Sequence, residues 1–194
     1  MTDLLRQLLT GLRALVVLTL LLGVAYPVTV WGVAQLAFPG RADGSMIVRD
    51  GQVVGSRLIG QSFGEGVDGA TWFASRPSAA DYDAQSSAGS NLGPNDGDLT
   101  TSIIERRAAV AKREGVAPAA VPADAVTASA SGLDPHISPD YAQIQVARVA
   151  RARGLPADQV TALVADHTHG RILGFLGEPR VNVLELNLAL DARR

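Results

Sequence analysis

The chain has 194 residues, 47% of them hydrophobic, which is enough for a membrane anchor and one packed domain. Aromatic residues make up only 5%, so the core must rest on Leu, Val, Ile and Ala. The formal net charge is −2. Setting aside Arg6, Arg13 and Asp3 from totals of 17 basic and 19 acidic residues leaves 15 against 18 beyond Phe38, an acidic balance that excludes phosphate-backbone binding. The lack of cysteine excludes disulfides, thiolate nucleophiles, zinc–thiolate sites and iron–sulfur clusters.

The first predicted element is a transmembrane helix over 14–38, a run without a single charge. A helix of that length crosses a hydrocarbon layer of about 30 Å with some tilt. A secretory signal peptide is the competing reading, but its apolar core is shorter and ends at a small-residue cleavage site, which this run lacks. Arg6 and Arg13 precede the span, while Arg41 follows it beside Asp43. The positive-inside rule then makes 1–13 a cytoplasmic N-terminus and 39–194 a soluble extracytoplasmic domain. Trp31 and Phe38 suit the interfacial aromatic belt. Pro27 removes a backbone donor and predicts a kink at Tyr26-Pro27. Gly23, one turn earlier, permits close approach of a second helix, so Gly23, Tyr26 and Pro27 are candidates for packing against a partner helix.

Behind the span, Met46-Ile47-Val48 and Val53-Val54 flank Asp50-Gly51, which predicts a β-hairpin. Residues 64–97 are rich in Gly, Ser, Asn, Asp and Pro and read as a long ordered loop, with Trp72-Phe73 as a core or interface anchor. Asp98 reads as the N-cap of a helix carrying Leu99, Ile103 and Val110 and ending at Gly115. Residues 116–124 read as a connector. Ser138-Pro139-Asp140 supplies a cap, a first-turn proline and a first-turn acid; the helix it starts buries Ala142, Val146, Val149 and Ala150 and stops at Gly154. A second helix presents Val160, Leu163 and Val164. In the last segment, Asn182 and Glu185 form a capping-box-like start and Val181 with Leu186 a hydrophobic staple, which favours a helix; the alternation of Leu186, Leu188 and Leu190 keeps a strand in competition. The fold class is α+β: one N-terminal transmembrane helix, then a single mixed α/β extracytoplasmic domain.

Complete catalytic signatures are missing. Gly64-Glu65-Gly66-Val67-Asp68-Gly69 matches a dinucleotide fingerprint by letter, but no strand leads into it and two acids would repel phosphate. His167 and His169, with His136, Asp134 or Asp166, offer metal-ligating atoms at a spacing suited to a strand or loop, and equally read as surface histidines. Serines are plentiful around Ser129-Ala130-Ser131-Gly132, yet no nucleophile elbow exists. The stretch Ser86-Ser87-Ala88-Gly89-Ser90-Asn91-Leu92-Gly93-Pro94, behind Arg76-Pro77-Ser78, reads as an ordered docking loop with Arg76 and Asn91 as its candidate contacts; a solvated linker is the bland alternative. No catalytic, cofactor-binding or metal-binding residue is assigned.

Several segments together resemble the C subunit of the bacterial Kdp potassium-transporting P-type ATPase. They are Tyr26-Pro27 with Ala34-Gln35 and Phe38-Pro39, Gly55-Ser56 through Gly60-Gln61, Arg76-Pro77-Ser78-Ala79, Gly89-Ser90-Asn91-Leu92-Gly93-Pro94, the run VTASASGLD over 126–134 followed by Ile137-Ser138-Pro139, and VNVLELNLALD over 181–191. The resemblance runs from about residue 20 to the C-terminus and implies a non-catalytic accessory subunit of an ATP-driven, high-affinity potassium uptake pump in the cell membrane. The implied partners are a channel-like potassium-binding subunit, an ATP-hydrolysing subunit and a small single-helix subunit. The implied role is that of a catalytic chaperone, supporting assembly and raising the affinity for ATP, which the catalytic subunit holds. An extracytoplasmic domain cannot clasp cytosolic ATP, so the effect is expected to be indirect, with the domain capping or bracing the extracellular entrance of the potassium-binding subunit. A membrane-anchored cell-envelope hydrolase and a small-ligand binding module remain the alternatives.

Overall fold

A computed structural model describes residues 2–63 and 69–193, so the Gly64–Asp68 part of the dinucleotide-like motif lies outside the described residues. The chain divides into two compact units, the first reaching Val54 and the second running from Gly55.

The first unit is dominated by a helical rod, Thr2–Ala37, long and apolar enough to cross a membrane. It comprises α1 (Thr2–Leu18), a π-helical stretch (Thr19–Ala25) and α2 (Tyr26–Ala37). The π stretch ends beside the proline: the Tyr26 N–H bonds the carbonyl of Leu21, five residues back. Pro27 sits at the first turn of α2, the position that tolerates a missing N–H. A widened ladder is thus how the rod meets the proline, and π turns of this kind are a recognised cause of local bending. Phe38 then leaves the helical region (φ −142°, ψ 53°), as the residue before a proline is driven to do. The short α3 (Pro39–Ala42) follows, and the Gln35 amide spans the break to Asp43 at 2.9 Å. Strands β1 (Met46–Arg49) and β2 (Gln52–Ser56) form the predicted two-stranded sheet. Asp50 (φ 52°) and Gly51 (φ 78°) make its tight turn, both in the left-handed region that Asp-Gly supplies at low cost.

The second unit packs helices around a small sheet. Its helices are α4 (Gly97–Glu114), α5 (Pro139–Arg153), α6 (Ala157–Asp166) and α7 (Val183–Asp191). β5 (Arg180–Asn182) lies between β3 (His136–Ile137) and β4 (Thr168–His169), antiparallel to both. The helix signals act as read, with one shift. The α4 cap is Asp96, whose carboxylate accepts from the Asp98 N–H; Asp98 is itself in the first turn. Two acids at one helix start compete for the cap, and the earlier one holds it. Gly115 (φ 70°) and Gly154 (φ 66°) end α4 and α5 in the left-handed C-cap conformation. Ser138 Oγ accepts from Tyr141 N at 3.0 Å, and Asn182 Oδ1 from Glu185 N at 3.1 Å. The last segment is a helix, with Val181 and Leu186 both fully buried as its staple. The Glu185 carboxylate pairs with Arg57. Ala142, Val146, Val149 and Ala150 of α5 share one buried core with Val160, Leu163 and Val164 of α6 and Leu186 and Leu190 of α7. The three short strands were not legible, because two or three residues carry no period.

Candidate functional site

Several of the second unit's segments that carry the family resemblance come together in space. Three loops of the second unit, near 58–63, 74–90 and 127–136, are tied into one knot. Gly60 N donates to Leu133 O, and Ser129 N to Pro77 O. Ser78 Oγ donates to Gly132 O at 2.7 Å and accepts from the N–H groups of Ala80 and Tyr82. Ser87 Oγ donates to Ser131 O. The glycines are there for closeness: a Cβ on Gly60 would lie 2.6 Å from Asp134 O, and one on Gly89 2.7 Å from Ala130 O. Backbone approaches of this kind leave no room for a side chain.

Arg76 sits at the middle of the knot. Its Nη1 donates to Asp134 Oδ2 at 2.8 Å, while Nη2 reaches the carbonyl and hydroxyl of Thr127 at 3.4 and 3.5 Å. Its Nε is buried without a hydrogen-bond partner among the described residues. Asp134 Oδ1 accepts from His136 N at 3.0 Å, with the His136 ring 3.4 Å away. Partial burial pushes the Asp134 carboxyl up, but the bonds from His136 and the Arg76 guanidinium outweigh it and hold it down at about 2. Burial pushes the Tyr82 hydroxyl up to about 12, and its proton is used on the Arg76 carbonyl at 2.7 Å.

The same face carries an open recess of about 450 Å³, bordered by Arg76, Arg106, Arg113, Ser75, Tyr82 and Tyr141. Its guanidiniums are engaged: Arg106 donates to Val126 O, and Arg113 to the Glu114 carboxylate and Tyr141 Oη.

Beneath the knot, the backbone at 69–76 is held by side chains of α5 and α7. Phe73 is bracketed by Asn187, which accepts from its N–H at 2.9 Å and donates to its C=O at 3.0 Å. Gln145 does the same for Ala74. Two buried amides therefore stand in for the neighbouring strand this segment lacks, and a buried backbone group left unpaired would cost ~1–3 kcal/mol. Arg148 bonds the carbonyls of Gly69, Ala70 and Trp72 and pairs with the fully buried Glu114 carboxylate at 2.8 Å. Arg153 lies over the Trp72 ring at 4.1 Å and bonds Thr71 O and Asp191. Sequence reasoning missed Gln145, Asn187 and Glu114. Polar residues at core-facing helix positions are the signal that would have found them.

The other sequence candidates are spread out. Asn91 is exposed in the left-handed region (φ 52°), which Asn tolerates. Gly23, Tyr26 and Pro27 are in the first unit and surround the end of the π stretch, with no buried residue among them. His167 Nδ1 lies 2.9 Å from Leu163 O, closing the end of α6, and His169 is on β4. Among the described residues no group of three metal-ligating side chains forms. Ser129 is buried, with Oγ between Ser131 Oγ and Asp134 N.

A helix long and apolar enough to cross a membrane precedes a small α+β domain, and sequence comparison gives the family. Residues 8–192 match the family model described as K+-transporting ATPase, c chain. The potassium-transporting ATPase KdpC subunit of Kineococcus radiotolerans is 59% identical over 192 residues, spanning 98% of this chain and 95% of that one. Those of Beijerinckia indica and Gemmatimonas aurantiaca are 53% and 57% identical, over 93% and 90% of this chain and 90% and 87% of theirs. The chain belongs to the KdpC family and is a membrane subunit of a potassium-transporting ATPase.

Proposed function

We propose that the chain is a non-catalytic accessory subunit that supports assembly of the pump and raises the ATP affinity of its ATP-hydrolysing subunit. The observation carrying this reading is the use made of the family's own segments. Arg76, Ser78, Ser129 and Asp134 bond one another's loops and build a stiff surface, with the guanidinium Nη atoms, both hydroxyls and the carboxylate engaged inside the chain. Such a surface suits docking on another subunit better than chemistry on a substrate. Residues 39–194 are extracytoplasmic in this reading, and Arg76 and Asn91 lie on the docking face. The partners are the channel-like potassium-binding subunit, the ATP-hydrolysing subunit and the small single-helix subunit. A domain outside the cell reaches ATP only through a coupling free energy, by favouring the pump conformation that binds nucleotide well.

The test compares the purified pump with and without this chain. Removing it is expected to raise the KM for ATP by at least ~5-fold, the lower range of an allosteric coupling. An unchanged KM together with an unchanged yield of assembled pump would overturn the reading.

A further inference from the structure

Helix α4 carries Arg106, Val110 and Arg113 at i, i+4 and i+7, so the three share one face, and that face lines the recess of about 450 Å³. Tyr141, in the first turn of α5, lines it too. The bonds these groups make within the chain do not exhaust their donors. Arg106 makes one, from Nη1 to Val126 O at 3.2 Å, and among the described residues it meets no carboxylate. Arg113 spends Nε on Glu114 and Nη2 on Tyr141 Oη, which leaves Nη1. The Tyr141 hydroxyl accepts that bond at 3.0 Å and, among the described residues, donates to nothing, although Tyr141 is only 2% exposed. Burial pushes its pKa up, so the hydroxyl keeps its proton. Tyr82 and Ser75 differ: their protons go to Arg76 O and Gln61 O. A buried donor left without an acceptor is costly, and here the missing acceptor has room to enter.

We propose that the recess receives the carboxylate of an Asp or Glu side chain from the extracytoplasmic mouth of the pump's potassium-binding subunit; the inference rests on the accessory-subunit reading above. Complementarity selects that occupant. Arg76 is balanced by Asp134 and Arg113 by Glu114, so Arg106 is the guanidinium in the recess without an acidic partner. Its Nε and Nη2 form one free edge, which a carboxylate takes with two parallel bonds. One unmatched guanidinium suits a single carboxylate. Asp81, the one acid in the lining, pairs with none of the three arginines and disfavours a polyphosphate. Phe63, Val110 and Ala125 give the recess apolar walls for the stem of the incoming side chain. Among the subunits of the pump, the one that collects potassium from outside is the one whose outer mouth needs carboxylates, because Asp and Glu draw cations to a pore.

Lys112 is the only lysine of the chain, so Arg106→Lys adds one new side-chain amine. Carbodiimide treatment of the assembled pump in native membranes is expected to join that amine, with loss of water, to an Asp or Glu of the potassium-binding subunit. Wild-type pump is expected to lack the product. Coupling at 106 only to Asp81 or another acid of this chain, to a different subunit, or to nothing overturns the proposal. Independently, Arg106→Glu is expected to lower retention of the chain on tagged pump about tenfold after detergent washing, and Arg106→Lys less than about twofold, with unchanged melting temperatures. Retention of Arg106→Glu equal to wild type defeats the recess as a docking site and leaves the subunit reading standing. If Arg106→Glu lowers the melting temperature, the coupling result decides by itself. Failure of the wild-type chain to co-purify would defeat the subunit reading.

Discussion

At the scale of single residues, Asp134 concentrates the demands of the loop knot, because one carboxylate answers to Arg76, to the His136 backbone and to the His136 ring. Its folded pKa of about 2 is below the ordinary carboxylate value. The unfolded chain therefore binds the proton first as pH falls, and the stability this group contributes is present above about pH 4 and lost towards pH 2. Asp134→Asn is expected to cost ~1 kcal/mol at neutral pH and to flatten the pH dependence of unfolding in that window, as read by thermal melts between pH 2 and 6. An identical acid transition in the variant would assign the transition to other carboxylates. In the sequence Asp134 reads as a member of a motif and as a candidate metal ligand, not as the partner of an arginine. Its partner Arg76, 58 positions away, is a fact of loop packing that no local spacing encodes.

At the scale of elements, the rod and the helices of the second unit were the readable parts. Their signals are local: a charge-free run, a Ser-Pro-Asp start, a Gly stop, an apolar face repeating every three or four residues. The one cap misplaced, Asp98 for Asp96, was a choice between two equivalent acids two residues apart. At Tyr26-Pro27 the chain's answer to a missing donor is seven π-helical residues on the N-terminal side, Thr19–Ala25. That widened turn spans Gly23, where a Cβ would lie 3.7 Å from Thr19 Cγ2, an ordinary contact. Substituting Pro27 by Leu restores the donor and should convert the stretch to regular α-helix, shifting the rotational phase of α1 against α2. Membrane insertion is expected to persist while co-purification with the other pump subunits weakens several-fold, the loss of a contact worth ~1 kcal/mol or more. Co-purification equal to wild type would reduce the span to a plain tether.

At the scale of the whole molecule, the chain forms two compact units that meet near Val54-Gly55, so the segment from Pro39 to Val54 belongs with the rod. The charge bias around the rod, Arg6 and Arg13 before it and Arg41 after it, is the support for the proposal that the domain lies outside the cytoplasm. Protease added to intact spheroplasts is expected to cut residues 39–194. Protection of the domain, with an external control protein cleaved, would reverse the orientation and allow a direct contact with the cytosolic nucleotide.

What the sequence determined by itself was whatever a short window can encode. It determined the apolar rod, the Asp-Gly hairpin, the helix caps and stops, and the motif runs that assign the family, because each depends on neighbours within a few positions. The tertiary structure alone decided how those motifs are spent. It closed Arg76 onto Asp134, set Asn187 and Gln145 as surrogate strand partners for Phe73 and Ala74 respectively, and buried Glu114 against Arg148. It also left Leu173 and Phe175 exposed. Burial and pairing are relations between distant segments, fixed by how the helices stack.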